Sequence, residues 1–295
     1  MELKLDYIYQ GDALEVLKQM PSESVDMCIT SPPYWNMRDY GDKNQLGLEY
    51  TTSEFIDNLY NVFHELKRVL KDEGSLWINI RDTYSKGVKR CGVKNKSLSM
   101  IPERLIIKLL DDGWILRNDI IWHKPNAMPD SCKNRFTVDY EHLYFLTKKD
   151  KGYYFKTQYE PYTSNIKSKK DNINNNNNDK DKRSALIESK MVRHGANGTT
   201  LNSPSKWSDK GRIKRTTWSI STKAYKEAHF ATYPTELIEC PIDAGCPEGG
   251  IVLDPFMGSG TTGVVAKKQG KHYVGIELNK EYIEIADNRI KKLDF

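Results

Sequence analysis

No stretch of this 295-residue sequence approaches the roughly 18 consecutive apolar residues that a membrane-spanning helix needs. The opening residues, MELKLDYIYQGD, lack the basic-then-apolar layout of a secretion signal, so the cytoplasm is the expected location. Cysteine is sparse. Cys28, Cys91, Cys132, Cys240 and Cys246 are odd in number and form no CxxC, which argues against a disulfide framework and against a four-cysteine zinc site. No metal is expected. Hydrophobic residues make up 38% and charged residues 29%, the balance of an ordinary soluble globular protein. The length allows one large domain with an insertion, or two domains.

Charge is present but unevenly spread. Residues 151–232 hold 17 Lys and Arg against 7 Asp and Glu, so this segment carries +10 and the rest of the chain −5 of the total +5. A mildly acidic body bearing one strongly basic segment has the electrostatic footprint of a polyanion-binding region, although a solvated charge-rich insertion has the same composition. Inside it, the polar low-complexity run DNINNNNNDKDKR (171–183) cannot supply a core. The later stretch SPSKWSDKGRIKRTTWSIST sets basic residues beside Trp207 and Trp218, a mixture suited to phosphates and bases. Either tryptophan alone is more simply read as packed.

The flanking parts alternate strand and helix. VDMCIT, SLWINI, DIIWHK and LYFLTK have the length and side chains of strands. Between the first two, TTSEFIDNLYNVFHELKRVLKDEG repeats apolar residues at helical spacing from Phe55 to Leu70. Thr51 and Glu54 are placed for a capping box, and Gly74 for the end. IPERLIIKLLDDG predicts a second helix with Pro102 at its start and Gly113 at its finish. Near the C-terminus, strand IVLDPF, glycine turn MGSG, helix TTGVVAKKQG, strand HYVGIEL and helix NKEYIEIADNRIKKL form a βαβ unit. The pattern predicts an α/β sheet covered on both faces.

The turn in LDPFMGSGTT follows a strand and opens a helix, the setting in which glycines admit a ligand close to the backbone. Glu277 ends the next strand, about 20 residues on, where a carboxylate grips ribose hydroxyls. Thus far any adenosine-containing cofactor would serve. DPFMGSGTT with GIELNKEYIEIADNRI resembles the S-adenosylmethionine-binding half of the amino-methylating DNA methyltransferases, and TSPPYW resembles their catalytic motif. The resemblance covers nearly the whole chain outside 164–215. With the catalytic motif first and the cofactor motif last, it is to the beta class of these enzymes.

That resemblance implies a Rossmann-like, seven-stranded methyltransferase sheet, circularly permuted and assembled from both ends of the chain. Residues 1–150 would form the catalytic half, 151–232 a target-recognition insertion and 233–295 the cofactor-binding half. It also implies a role for each motif residue. Ser31 Oγ and the Pro32 carbonyl would accept hydrogen bonds from an exocyclic amino group, Pro33 would hold the turn, and Tyr34 would stack on a flipped base. Trp35 is read as core.

Around S-adenosylmethionine, Asp254 would order the glycine loop or meet the methionine amino group, and Phe256 would line the pocket. Gly258, Ser259 and Gly260 would form the turn, with Thr261 and Thr262 at the methionine carboxylate. Glu277 would take the ribose and Asp12 the adenine amino group, although each of these carboxylates, Asp254 included, could instead be a helix cap or a solvated surface group. Phe230, Thr232 and Pro234, from HFATYPTEL, would add a further wall.

Ser31 in first position favours cytosine N4 over adenine N6 as the target. Arg183, Arg193, Arg212, Lys214 and Arg215 are candidates for contact with double-stranded DNA. A cognate restriction endonuclease would be the enzyme's counterpart. An RNA methyltransferase and an inactive DNA-binding subunit are the alternatives from other classes. The sequence departs from the family at NIRDTY, where Arg81 stands in place of a frequent glycine.

Overall fold

The structure, a computed structural model, describes residues 2–37, 45–162, 210–222 and 233–293. Its strands are β1 (Tyr7–Gln10), β2 (Val25–Thr30), β3 (Leu70–Ile80), β4 (Ile115–His123), β5 (Tyr140–Thr147), β6 (Tyr159–Glu160), β7 (Arg212–Ile213), β8 (Thr217–Ser219), β9 (Ile251–Asp254) and β10 (His272–Glu277). Its helices are α1 (Ala13–Gln19), α2 (Thr52–Val69), α3 (Val88–Cys91), α4 (Ile101–Asp111), α5 (Thr235–Gly245), α6 (Thr261–Lys268) and α7 (Lys280–Lys291).

The main sheet runs β1-β10-β9-β2-β3-β5-β4-β8. Its first five strands are parallel, and β5 is reversed between β3 and β4. The two ends of the chain interleave, because β9 and β10 fit between β1 and β2. Seven of these strands form the expected permuted methyltransferase sheet. The eighth, β8, joins the outer edge by pairing Trp122 with Trp218. Trp218 is buried there, and the packed reading holds for it; Trp207 lies outside the described residues.

Helices cover both faces. One face packs α1, α2 and α4 through residues such as Leu17, Phe55, Phe63, Leu66 and Leu105. The other packs α5, α6 and α7 through Leu237, Ile242, Val265 and Ala286. Each fully buried side chain of this size contributes about 2 kcal/mol. Strands buried on both faces need apolar residues on both, which is why β2 and β3 read as continuous runs rather than alternating ones.

Helix α2 begins with the expected capping box between Thr51 and Glu54. It ends at Val69, five residues before Gly74. Leu70 turns extended, with φ −72° and ψ 133°, and Leu70–Gly74 lengthen β3. The apolar spacing carried the helix reading too far, since Leu70 is as buried in a strand as in a helix.

The chain divides into two compact units, one of Met1–Lys156 with Thr216–Phe295 and one of Thr157–Arg215. In the second, β6 pairs antiparallel with β7, matching Glu160 with Arg212.

Candidate active site

Strands β2 and β9 are neighbours in register at Met27–Val252 and Cys28–Leu253. Their C-terminal ends therefore bring TSPPYW and DPFMGSG to one edge of the sheet, the edge where ligands of open α/β sheets bind. The two segments are tied directly, as Thr30 Oγ1 donates to Asp254 Oδ1 at 2.6 Å.

Asp254 is 1% exposed and accepts four hydrogen bonds. Oδ1 takes Thr30 and the Phe256 amide (3.0 Å); Oδ2 takes Thr262 Oγ1 (2.6 Å) and the Tyr233 hydroxyl (3.2 Å). Burial raises its carboxyl above the ordinary range, partly offset by these donors. With four bonds, its oxygens are filled by groups that shape the turn. Thr262 is fully buried and spends its hydroxyl proton on Asp254. Thr261 Oγ1 and Ser259 Oγ accept from Arg289 Nη1, at 2.9 and 3.2 Å. The first-turn amides of α6 have no partner within the helix, and they are what this turn offers to an anionic group.

Gly258 and Gly260 differ. Both have left-handed φ, +50° and +81°. A Cβ on Gly260 would lie 2.7 Å from the Ala286 Cβ, so packing of α7 requires that glycine. A Cβ on Gly258 would meet only the Phe256 carbonyl, at 3.9 Å, so that glycine faces open space.

Glu277 closes the turn from the next strand. Its Oε2 accepts the Gly258 amide (2.8 Å) and its Oε1 the Asn279 amide (2.9 Å). Burial raises its carboxyl, partly offset by those amides. The Leu278 amide bears on the carboxylate as well, and its remaining lone-pair capacity suits a ribose hydroxyl. Asp12 follows β1, whose Gln10 pairs with Glu277, so closure of the sheet brings the two carboxylates to one end. Asp12 also caps α1, its Oδ1 accepting the Glu15 amide at 3.0 Å. Phe256 is half-buried beside the core under the turn, and Pro234 is buried at the start of α5. Phe230 and Thr232 lie outside the described residues. The open face of Gly258, the first-turn amides of α6 and the remaining acceptor capacity of Glu277 fit S-adenosylmethionine.

At the catalytic corner, Pro32 and Trp35 are buried, while Ser31, Pro33 and Tyr34 are half-buried. Trp35, read as core, donates its Nε1 to the Glu49 carbonyl at 3.0 Å. Asn36 N bonds the Gly47 carbonyl (2.6 Å), which holds the exit from the corner. The Tyr34 ring is fixed by its hydroxyl, which lies 2.7 Å from Glu141 Oε2, 3.3 Å from Asn79 Oδ1 and 3.4 Å from Ser31 Oγ. Burial, then the Glu141 charge, push the Tyr34 phenol far above its ordinary range, so it stays protonated. Glu141, 5% exposed, pairs through Oε1 with Lys124.

In the smaller unit, Arg212 and Arg215 both bond Glu160 Oε1, at 2.8 and 2.7 Å. Arg215 keeps 65% of its side chain exposed. The Lys214 amide bonds the Gln158 carbonyl. Arg183, Arg193 and the run 171–183 lie outside the described residues.

Sequence reasoning missed Thr30, Tyr233, Glu141, Asn79, Lys124 and Arg289. Thr30 and Tyr233 directly adjoin residues that were singled out. Glu141 had a signal of its own: one acid in YEHLYFLT, an otherwise apolar and aromatic strand, is a buried charge in search of a partner.

The family described as DNA methylase (N6_N4_Mtase) matches residues 25–288. The Type II methyltransferase M.Cfr9I of Citrobacter freundii is 40% identical over all of this chain and 90% of its own length. PvuII DNA methyltransferase (cytosine-N4-specific) shares the fold, with a TM-score of 0.67, 21% identity and coverage of 99% of this chain and 87% of its own. The M1.HpyAVI–SAM complex is similar at TM-score 0.57 and 21% identity, covering 96% and 98%. The chain belongs to the DNA methylase family.

Proposed function

We propose that this DNA methyltransferase transfers the methyl group of S-adenosylmethionine to the N4 amino group of cytosine in duplex DNA, within a restriction-modification pair. The observation that carries the reading is the junction of the two motifs, where Thr30 bonds Asp254 and so fixes the Ser31–Pro32 corner beside the glycine turn.

An exocyclic amino nitrogen is a poor nucleophile because its lone pair is delocalised into the ring. Ser31 Oγ and the Pro32 carbonyl, accepting hydrogen bonds from its two N–H groups, draw the nitrogen towards tetrahedral geometry and free the lone pair. Bound S-adenosylmethionine supplies an electrophilic methyl on a cationic sulfur. Glu277 and the start of α6 would hold that molecule at the sheet edge that also carries the Ser31–Pro32 corner. After transfer the amino group gives up one proton to solvent. Catalysis is orientation and electrostatics, with no covalent enzyme intermediate. The target base must leave the duplex to reach a corner sunk in a sheet edge.

The choice of cytosine rests on Ser31, supported by the likeness to a cytosine-N4-specific enzyme. The basic segment 151–232, with Arg183, Arg193, Arg212, Lys214 and Arg215, is proposed to contact the DNA. A cognate endonuclease would cut the same site when unmethylated.

The test is methylation of unmodified duplex DNA with labelled S-adenosylmethionine, followed by nucleoside digestion and mass spectrometry. N4-methylcytosine supports the proposal. N6-methyladenine keeps the fold and chemistry but refutes the target. Label in RNA alone refutes the DNA reading.

A further inference from the structure

We propose that Glu141 is a positioning residue for methyl transfer, acting through Tyr34 to make the Ser31 hydroxyl an acceptor for the target amino group. The inference rests on the reading that Ser31 Oγ accepts a hydrogen bond from one of the two amino N–H groups.

A serine hydroxyl has one proton and two lone pairs, and nothing intrinsic decides which way the proton points. Pointed at the target it would oppose an amino N–H; pointed away it leaves both lone pairs to accept. The neighbours make that choice here. The protonated Tyr34 hydroxyl has one proton for two acceptors, Glu141 Oε2 at 2.7 Å and Asn79 Oδ1 at 3.3 Å. The shorter bond to the charged oxygen wins. Asn79 is itself turned by donating its Nδ2 to Glu141 Oε2 and to the His142 carbonyl, each at 3.1 Å. With its proton on Glu141, Tyr34 Oη has only lone pairs to offer, and Ser31 Oγ, 3.4 Å away, donates to it.

The sense of the whole chain is thus set by one buried carboxylate. Lys124 compensates its charge from the far side, on Oε1. No proton leaves the relay and no bond is made or broken in it. It fixes direction only.

The experiment measures methyl transfer to duplex DNA at saturating substrates for the wild-type protein, S31A, E141Q, Y34F and the E141Q/Y34F double variant. Affinities for S-adenosylmethionine and DNA are measured alongside. A glutamine at 141 can present N–H to Tyr34 and reverse the relay. E141Q should lower kcat about ten-fold with both affinities unchanged, the size of one misdirected hydrogen bond. Y34F should cost a similar factor, and E141Q added to Y34F should change kcat less than two-fold, because both act on the same proton. A merely structural Glu141 would instead multiply its loss with that of Y34F.

Full kcat in E141Q, or multiplied losses in the double variant, overturns the relay. Should E141Q fail to fold, Y34F reads the same relay by removing one oxygen, and full kcat there overturns it equally. Activity retained in S31A is a separate result: it removes the reading of Ser31 on which the relay depends.

Discussion

Two buried carboxylates stand behind the two halves of the site, and they are held in opposite ways. Asp254 is surrounded by neutral donors, three hydroxyls and one amide, and burial raises its carboxyl. Glu141 faces an ammonium from Lys124 as well as the hydroxyl of Tyr34 and the amide of Asn79. Neutral donors in four directions make Asp254 a joint: it connects strand β2, the glycine turn and the segment before α5. A cation on one oxygen leaves the other oxygen of Glu141 to organise the catalytic corner. Both are buried, so burial alone does not tell a structural acid from one that directs chemistry. The identity of the donors does.

The largest effect is expected from breaking the joint. Asp254→Ala strands the Thr30 and Thr262 hydroxyls and the Phe256 amide, all aimed at an acceptor that is gone. Stability should fall by about 3–5 kcal/mol, with cofactor affinity lost. Urea denaturation reads the first and equilibrium dialysis the second. A stable D254A that still binds S-adenosylmethionine would show that the turn holds itself. Lys124→Met comes next. It leaves Glu141 as an uncompensated buried charge, at a cost of about 3 kcal/mol. The comparison predicts that K124M/E141Q regains much of that loss while catalysis stays impaired; recovery of both would erase the distinction between the two acids.

The same contrast explains what was legible in the sequence. β2 was read to the residue, because VDMCIT is bounded by polar residues and a Pro-Pro corner. The capping box of α2 was equally plain, being a local device three residues apart. The glycine turn and Glu277 followed from the order of strand, turn, helix and strand. The relay behind Ser31 was not legible. Its members come from positions 31, 34, 79, 124 and 141, and no spacing rule joins them. Only the pairing of β5 between β3 and β4 does so. Tyr233 was passed over within a stretch already singled out, because a tyrosine's role depends on where its hydroxyl ends. The short strand β8 was hidden among basic residues, and its membership in the sheet depends on Trp122, almost a hundred residues away.

The glycine turn allows a finer break of the joint from within. Gly260→Ala puts a methyl 2.7 Å from Ala286 and strains a left-handed backbone, so about 2 kcal/mol or more of stability should go. Gly258→Ala has the same kind of backbone penalty, about 1 kcal/mol, but no clash. Its loss should appear in cofactor affinity, because the added methyl occupies the open face of the turn. Thermal midpoints with and without S-adenosylmethionine separate the two. If G258A binds normally while G260A does not, the ligand lies on the other side of the loop.

The smallest effect tests whether a lysine partner matters in itself or only when water is absent. Asp72 is paired with Lys149 (2.6 Å) and Lys148 (3.0 Å), but it is half exposed, unlike Glu141. The bonds from those two lysines hold its carboxyl down at about 2, against 3.8 for the free group. A carboxyl lowered on folding stabilises the protein above the unfolded value, and that contribution is lost as the pH falls from 3.8 towards 2. Solvent and salt screen the pair, so the loss should be slight. Comparing urea midpoints of wild type and Asp72→Asn at pH 6 and pH 3, a small advantage of the wild type should be present at pH 6, shrink at pH 3, and fade at high salt. A salt-resistant difference as large as that of K124M would mean that the ammonium, not burial, sets the strength of the Glu141 pair.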